Sequence, residues 1–245
     1  MTESAQNYLQ NAIHLSVAGN SHAINHIGWI VLDEQQRVIR QISSRGFWFV
    51  DIPRTSSTAI GMLLGEAFGA PFGKSNIPGG KPVLGTSSFL LPPHTPAFNL
   101  RELLGSDLWA GLASFSVVRD PYTWSASLWR FTHRYGGLEM PSDTFGDFLK
   151  ELHLRMQGPR GNRAFFPTSY CQSDYVLSLD DEMLVGDILK FEDRDAIESH
   201  LAGLGITKPL ADGLAASDGA DRDLGASEKR LVHTIFEKDF DLLGY

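Results

Sequence analysis

A short apolar run, FWFV at residues 47–50, and a short β-rich run, FSVV at residues 115–118, each give way at once to a polar turn and then to a segment of helical period. A continuous apolar run halted by a turn is the pattern of a strand buried on both faces of a parallel sheet, because a half-exposed strand alternates instead. Behind the first run, Ile60, Leu63, Leu64, Ala67 and Phe68 fall on one face of a helix. Behind the second, Asp120 and Pro121 suit a helix N-cap and first helical position, and Trp124, Leu128, Phe131 and Tyr135 mark the inward face. Repetition of strand, turn and helix constrains the chain to an α/β fold with a mainly parallel central sheet and helices on both faces.

With 245 residues and 42% hydrophobic content, the chain has enough apolar surface for one sizeable core. Residues 69–97, 158–169 and 207–227 read as loops, and none is long or simple enough to separate two domains. The expected organisation is a main domain over residues 46–245 with an appendage over residues 1–45. In that appendage, GWIVLDEQQRVIRQI reads as a hairpin of two β-rich runs around a polar turn.

The polar turn PRTSST, residues 53–58, lies between the first strand and its helix. The first N–H groups of a helix have no intrahelical partner, and the helix dipole places partial positive charge on them. Ser and Thr hydroxyls add donors there, and Arg54 adds a fixed charge on a planar fork that matches phosphate or sulfate oxygens. The turn therefore reads as an oxyanion site, although Thr55 or Ser57 acting as a plain N-cap fits the same residues. It is not a Walker A loop, since G-x-x-x-x-G-K-[ST] occurs nowhere in the chain. Arg119 falls at the carboxyl end of the second strand, where open α/β sheets bind ligands, and Ser127 lies two turns into the following helix. Taken singly, Arg119 also reads as a surface ion-pair partner and Ser127 as a tolerated small residue.

The segments FVDIPRTSST and FSVVRDPYTWSASLW resemble the two signature segments of the PAPS-dependent sulfotransferases (PAPS is 3′-phosphoadenosine 5′-phosphosulfate), in the branch with the Golgi carbohydrate sulfotransferases and their bacterial relatives. The resemblance continues through QSDYVLSLDDEMLVGDILKFEDRDAIESHLAGLGI and VHTIFEKDFDLLGY, and so covers residues 46–245. It implies a P-loop-like sulfotransferase fold and transfer of a sulfuryl group from PAPS to an acceptor hydroxyl of a carbohydrate or small alcohol. Pro53, Arg54, Thr55, Ser56, Ser57 and Thr58 would hold the 5′-phosphosulfate, and Arg119 and Ser127 the 3′-phosphate. Arg54 would also stabilise the leaving phosphate. The chain departs from the pattern in four places: Arg54 stands for Lys, Ser56 and Ser57 for two glycines, Ala59 for Ser, and Trp124 for Arg. Those departures keep open a non-catalytic nucleotide-binding relative as the alternative.

Sulfuryl transfer also needs a base for the acceptor's proton. His94 in LLPPHTPAFNLRELLG stands where the uronosyl 2-O-sulfotransferases of that family have a catalytic His, and imidazole titrates near ~6.5 in model peptides. A lone His in a Pro-rich loop is equally a solvent-exposed or capping residue; His133 and Asp51 are the reserve candidates. His153, His200 and His233 sit in expected helices, and no His/Cys spacing points to a metal. Gln172, Arg160 and Arg163 flank the middle loop and read as ligand-facing or solvated. Phe89, Phe98, Phe165, Phe166 and Tyr170 read as acceptor-stacking or as core anchors of long loops.

Composition narrows the partners and the setting. A net charge of −8 argues against nucleic acid and anionic membrane as partners, and against a polyanionic glycan acceptor. The single cysteine, Cys171, allows no intramolecular disulfide, and no stretch has the length or the flanks of a membrane span or signal peptide. A cytoplasmic protein, with a homo-oligomer left open, is the expectation.

Overall fold

The computed structural model describes residues 36, 39–40, 42–68, 94–135, 143–157, 170–210 and 224–245. Among these, three parallel strands form one sheet in the order β1-β2-β3, flanked by helices. The strands are β1 (Phe47–Val50), β2 (Ala113–Val118) and β3 (Asp187–Lys190). Helices α1 (Ser57–Phe68), α2 (Ala97–Leu104) and α3 (Ser106–Ala110) lie between β1 and β2 in sequence. Helices α4 (Pro121–Tyr135), α5 (Phe145–Met156) and α6 (Gln172–Val176) lie between β2 and β3. Helices α7 (Arg194–Gly203), α8 (Ala226–Ile235) and α9 (Glu237–Leu243) follow β3. Among the described residues, no helix is long and apolar enough to cross a membrane.

Both runs are covered strands, β2 at the centre of the described sheet and β1 beside it. Phe47 pairs with Ala113 and Val50 with Ser116, and every residue of β1 is buried. Phe49 stacks on Phe115 at 4.9 Å between ring centroids. The fully buried hydroxyl of Ser116 is satisfied by donating to the Val50 carbonyl at 2.8 Å. β3, four residues long like β1, is only half-buried, and it pairs with β2 from Phe115↔Asp187 to Val118↔Lys190. Its approach is fixed by Gly186, where an added Cβ would lie 3.3 Å from the Ser114 carbonyl oxygen. All three strands run the same way, so Asp51, Arg119 and Phe191 emerge at one edge of the sheet.

Helix α4 begins as its sequence requires. Asp120 Oδ1 accepts from the N–H groups of Tyr122 and Thr123 at 2.8 and 3.1 Å, and Pro121 takes the first position, where no N–H is needed. Trp124 and Leu128 are fully buried and Phe131 is partly so; the side chain of Tyr135 lies outside the described residues. On α1 the expected face is buried at Ile60, Leu63 and Leu64, but Ala67 is exposed and Phe68 only half-covered, because the inward stripe ends one turn early. Helices α4, α5 and α8 enclose a second apolar cluster of Trp124, Leu128, Phe145, Phe148, Val232 and Phe236. Of the apolar positions Leu231, Val232, Ile235 and Phe236, whose helical spacing suits a core face, the last three are buried and Leu231 is half-buried.

The hairpin expected before β1 lies largely outside the described residues. Where its turn and second run are described, at Gln36 and at Ile39, Arg40 and Ile42, the backbone is helical, and Ile42 is buried in the sheet's core. The apolar residues Ile39 and Ile42 stand three apart, a spacing that suits one face of a helix better than a strand's alternation. Phe98 and Tyr170 are core residues: Phe98 belongs to the main apolar cluster, and Tyr170 packs edge-on against Tyr175. Phe89, Phe165, Phe166, Arg160 and Arg163 lie outside the described residues.

Candidate functional site

Residues 51–56 turn sharply between β1 and α1. Arg54 and Ser56 both adopt left-handed backbone, with φ of 67° and 64°, while Thr55 between them does not. Alternation of this kind aims successive N–H groups to one side and makes an anion-binding concavity. A left-handed conformation costs an L-residue about 1–2 kcal/mol, so the shape has to be imposed by its surroundings. Two contacts impose it. Thr55 donates its hydroxyl back to the Ile52 carbonyl at 2.9 Å, and the indole N–H of Trp124, wholly buried, donates to the Pro53 carbonyl at 2.7 Å. Thr55 thus closes the turn through its hydroxyl, and α1 begins at Ser57.

The second unit lies against the first. Arg119 is buried, with 4% of its surface exposed, and its guanidinium donates to Thr123 Oγ1 at 3.0 Å and to the Arg54 carbonyl at 3.3 Å. It packs 4.3 Å above the Phe191 ring, which follows β3 directly. Burial lowers its pKa to about 10, Glu192 opposes the shift, and the charges of Arg54 and Arg130 add to it. Several guanidinium groups therefore act on one another at this edge of the sheet, an arrangement that favours a bound anion. Arg54 lies 5.0 Å from the Phe131 ring centroid and donates Nε–H to Ser127 Oγ at 3.1 Å. Ser127, fully buried, is thus brought to the Arg54 side of the site.

The main chain of Arg119 is pinned from α6. Gln172, fully buried, accepts from the Arg119 N–H at 2.8 Å and donates to the Arg119 carbonyl at 2.7 Å. Gln172 is therefore neither solvated nor ligand-facing. Its own N–H and that of Ser173 donate to the Asp239 carboxylate at 3.0 and 2.8 Å, so α9 holds α6 and α6 holds Arg119. Burial pushes the Asp239 carboxyl up to about 6, against those hydrogen bonds. Glu192 completes the edge, accepting from the Asp120 N–H at 2.9 Å and from the Tyr245 hydroxyl at 3.0 Å.

His94 also reaches this edge. Its Nδ1 lies 3.2 Å from both the carbonyl oxygen and Oδ1 of Asp51, the residue that follows β1. Its backbone is left-handed, with φ of 63°, and 17% of the side chain remains exposed. His133 is exposed and stacks near Trp129, which also packs on Phe145, away from the turn. Of the residues singled out by sequence, the turn over residues 53–58, Arg119 and Ser127 converge, and His94 joins them through Asp51. Gln172 as an anchor, Phe131 and Phe191 beneath the guanidinium groups, and Trp124 over the turn carry no motif of their own.

The fold and the site together define an α/β protein with a cationic cluster at the carboxyl edge of a parallel sheet. Compared with protein-family models, curated proteins and solved structures, the chain matches none.

Proposed function

We propose that the chain is a PAPS-dependent sulfotransferase of P-loop-like fold that sulfates a carbohydrate or small-alcohol hydroxyl and releases 3′,5′-ADP. The observation that carries the reading is the junction of the two strand-turn-helix units. Arg54 of the first donates to Ser127 of the second, and Arg119 of the second donates to the Arg54 carbonyl. A donor with a phosphosulfate on the 5′ and a phosphate on the 3′ position of one ribose calls for two neighbouring cationic sites, and Arg54 and Arg119 follow the paired strands β1 and β2. Ser56 adds support: its left-handed φ falls where the family pattern has glycine, the residue that adopts such a backbone without strain.

In this reading the 5′-phosphosulfate lies in the concavity of residues 53–58. Sulfuryl transfer resembles phosphoryl transfer in asking the protein chiefly for in-line positioning and for stabilisation of charge on the leaving group. Arg54 and the turn's N–H groups supply that stabilisation; Arg119 meets the 3′-phosphate, and His94 takes the acceptor's proton. Incubation of the purified chain with ³⁵S-PAPS and a panel of alcohols, phenols and neutral oligosaccharides tests the reading. Labelled sulfate ester with matching 3′,5′-ADP supports it. PAPS binding with no transfer to any acceptor would point to the non-catalytic relative, and failure to bind PAPS would overturn both.

A further inference from the structure

His94 and Asp51 are 43 residues apart in sequence, yet the imidazole Nδ1 meets two oxygens of Asp51, both at 3.2 Å. The hydrogen bond is directed at the carbonyl, and the carboxylate oxygen stands beside it at ion-pair distance. Both oxygens are acceptors, so Nδ1 must be the protonated nitrogen. In a neutral ring that leaves the lone pair on Nε2. The left-handed backbone at His94 is a strained conformation in a residue with a functional side chain, and the two contacts to Asp51 hold the ring in place despite it.

We propose that Asp51 and His94 form a dyad, in which Asp51 fixes Nδ1–H and thereby presents Nε2 as the proton acceptor, and in which its carboxylate balances the charge of the imidazolium. His94 is then the catalytic residue and Asp51 a positioning residue. The inference deepens the sulfotransferase reading and rests on it. In the step it serves, a lone pair of the acceptor oxygen forms the new O–S bond, and the hydroxyl proton passes to Nε2. The S–O bond to the 5′-phosphate breaks, with its electron pair leaving on 3′,5′-ADP. The imidazolium later returns its proton to solvent. Oδ1 of Asp51, the oxygen beside the imidazole, is itself buried, while 20% of the Asp51 side chain stays exposed.

The test is a double-mutant cycle on the intact chain, with an aliphatic alcohol as acceptor. Asp51→Asn keeps the shape and removes the charge, and should lower kcat by ~10-fold or more while leaving the PAPS Kd unchanged, since a positioned base supplies ~10² to 10⁴ in rate. In a His94→Gln background the same change should lower kcat no further, because residues that act as a unit are not additive. Wild-type kcat in Asp51→Asn, or a full additive loss in the double variant, overturns the dyad. An independent readout is the ¹⁵N spectrum of histidine-labelled protein at pH 8, with His94 assigned by its loss in His94→Gln. A proton on Nδ1 that moves in part to Nε2 in Asp51→Asn upholds the pairing, whereas a bare Nδ1, or a tautomer unchanged in Asp51→Asn, overturns it even if the protein transfers no sulfate. If Asp51→Asn fails to fold, Asp51→Glu and the wild-type spectrum keep the question decidable: Glu should restore the charge at an altered reach and retain part of the rate.

Discussion

Replacing Gln172 by Leu should unfold the protein at markedly lower denaturant, because of what Gln172 does for a different residue's backbone. Its amide closes a reciprocal pair with the Arg119 N–H and carbonyl, at 2.8 and 2.7 Å, in a position with no exposed surface. Leucine fills most of the volume but leaves both backbone groups buried without their partners. Each such group costs about 1–3 kcal/mol, so the two together amount to roughly 2–6 kcal/mol, reduced toward the lower figure if a water enters. Against a total stability of about 5–15 kcal/mol the variant still folds, and the loss is readable. With a urea m-value of about 3 kcal/mol/M, a loss of about 3 kcal/mol moves the midpoint by roughly 1 M. Gln172→Glu keeps an acceptor for the Arg119 N–H but turns lone pairs toward the carbonyl, and should lose as much or more. Urea titration followed by tryptophan fluorescence measures both. A midpoint shift in Gln172→Leu below about 0.3 M, under about 1 kcal/mol by the same slope, would refute the idea that this pair anchors the strand end.

Arg119→Ala should weaken PAPS binding roughly 10- to 150-fold more than binding of adenosine 5′-phosphosulfate, the span of one lost charge-assisted contact, and equal losses in calorimetry would separate Arg119 from the 3′-phosphate. Arg54→Ala should lower kcat as well as affinity, with Arg54→Lys recovering much of the rate; an unchanged kcat at saturating PAPS would remove Arg54 from the chemical step. Ser56→Gly should raise thermal stability by up to about 1 kcal/mol by relieving the left-handed strain at φ 64°, and a lower melting temperature would show that the serine side chain stabilises the turn by more than its strained backbone costs. Asp239 has a folded pKa of about 6, above its ordinary 3.8, so its contribution to stability is fully present below the ordinary value and is lost as pH rises through 6. Relative to Asp239→Asn, the wild type should therefore gain up to about 3 kcal/mol between about pH 7 and pH 3; parallel stability profiles for the two would contradict the raised carboxyl.

The parts of this molecule that are legible in the sequence are those whose cause is local. The run at 47–50 announces a covered strand because nothing polar interrupts it, the β-rich run at 115–118 carries only the small Ser116, and Asp120-Pro121 announces a helix start through rules that reach three residues ahead. β3 carries no comparable signal: its four residues begin with Asp187 and end with Lys190, and its partner β2 makes it a strand. Gln172 is open in sequence to two readings, solvated or ligand-facing, and is neither, since its environment is the main chain of Arg119, 53 residues earlier. Ser127 pairs with Arg54 across 73 residues, and only the parallel pairing of β1 with β2 brings them together. Asp51 and His94 are separate candidates for one role in sequence, and tertiary structure makes them a pair.

The line of contacts from Asp239 through Gln172 to Arg119 also orders the events of synthesis. Asp239 follows Gln172 by 67 residues, so when the N–H of Gln172 first leaves the ribosome its carboxylate partner has not been made. At about 5–20 residues per second the wait is roughly 3–13 s, long against the microseconds in which a helix forms or a chain collapses. During that interval the residues of β1, β2 and the turns that bear Arg54 and Arg119 have all been made, while the N–H groups at the start of α6 still await their acceptor. The two arginines of the sheet edge are thus made seconds before the carboxylate at the far end of the line that holds Arg119 in place.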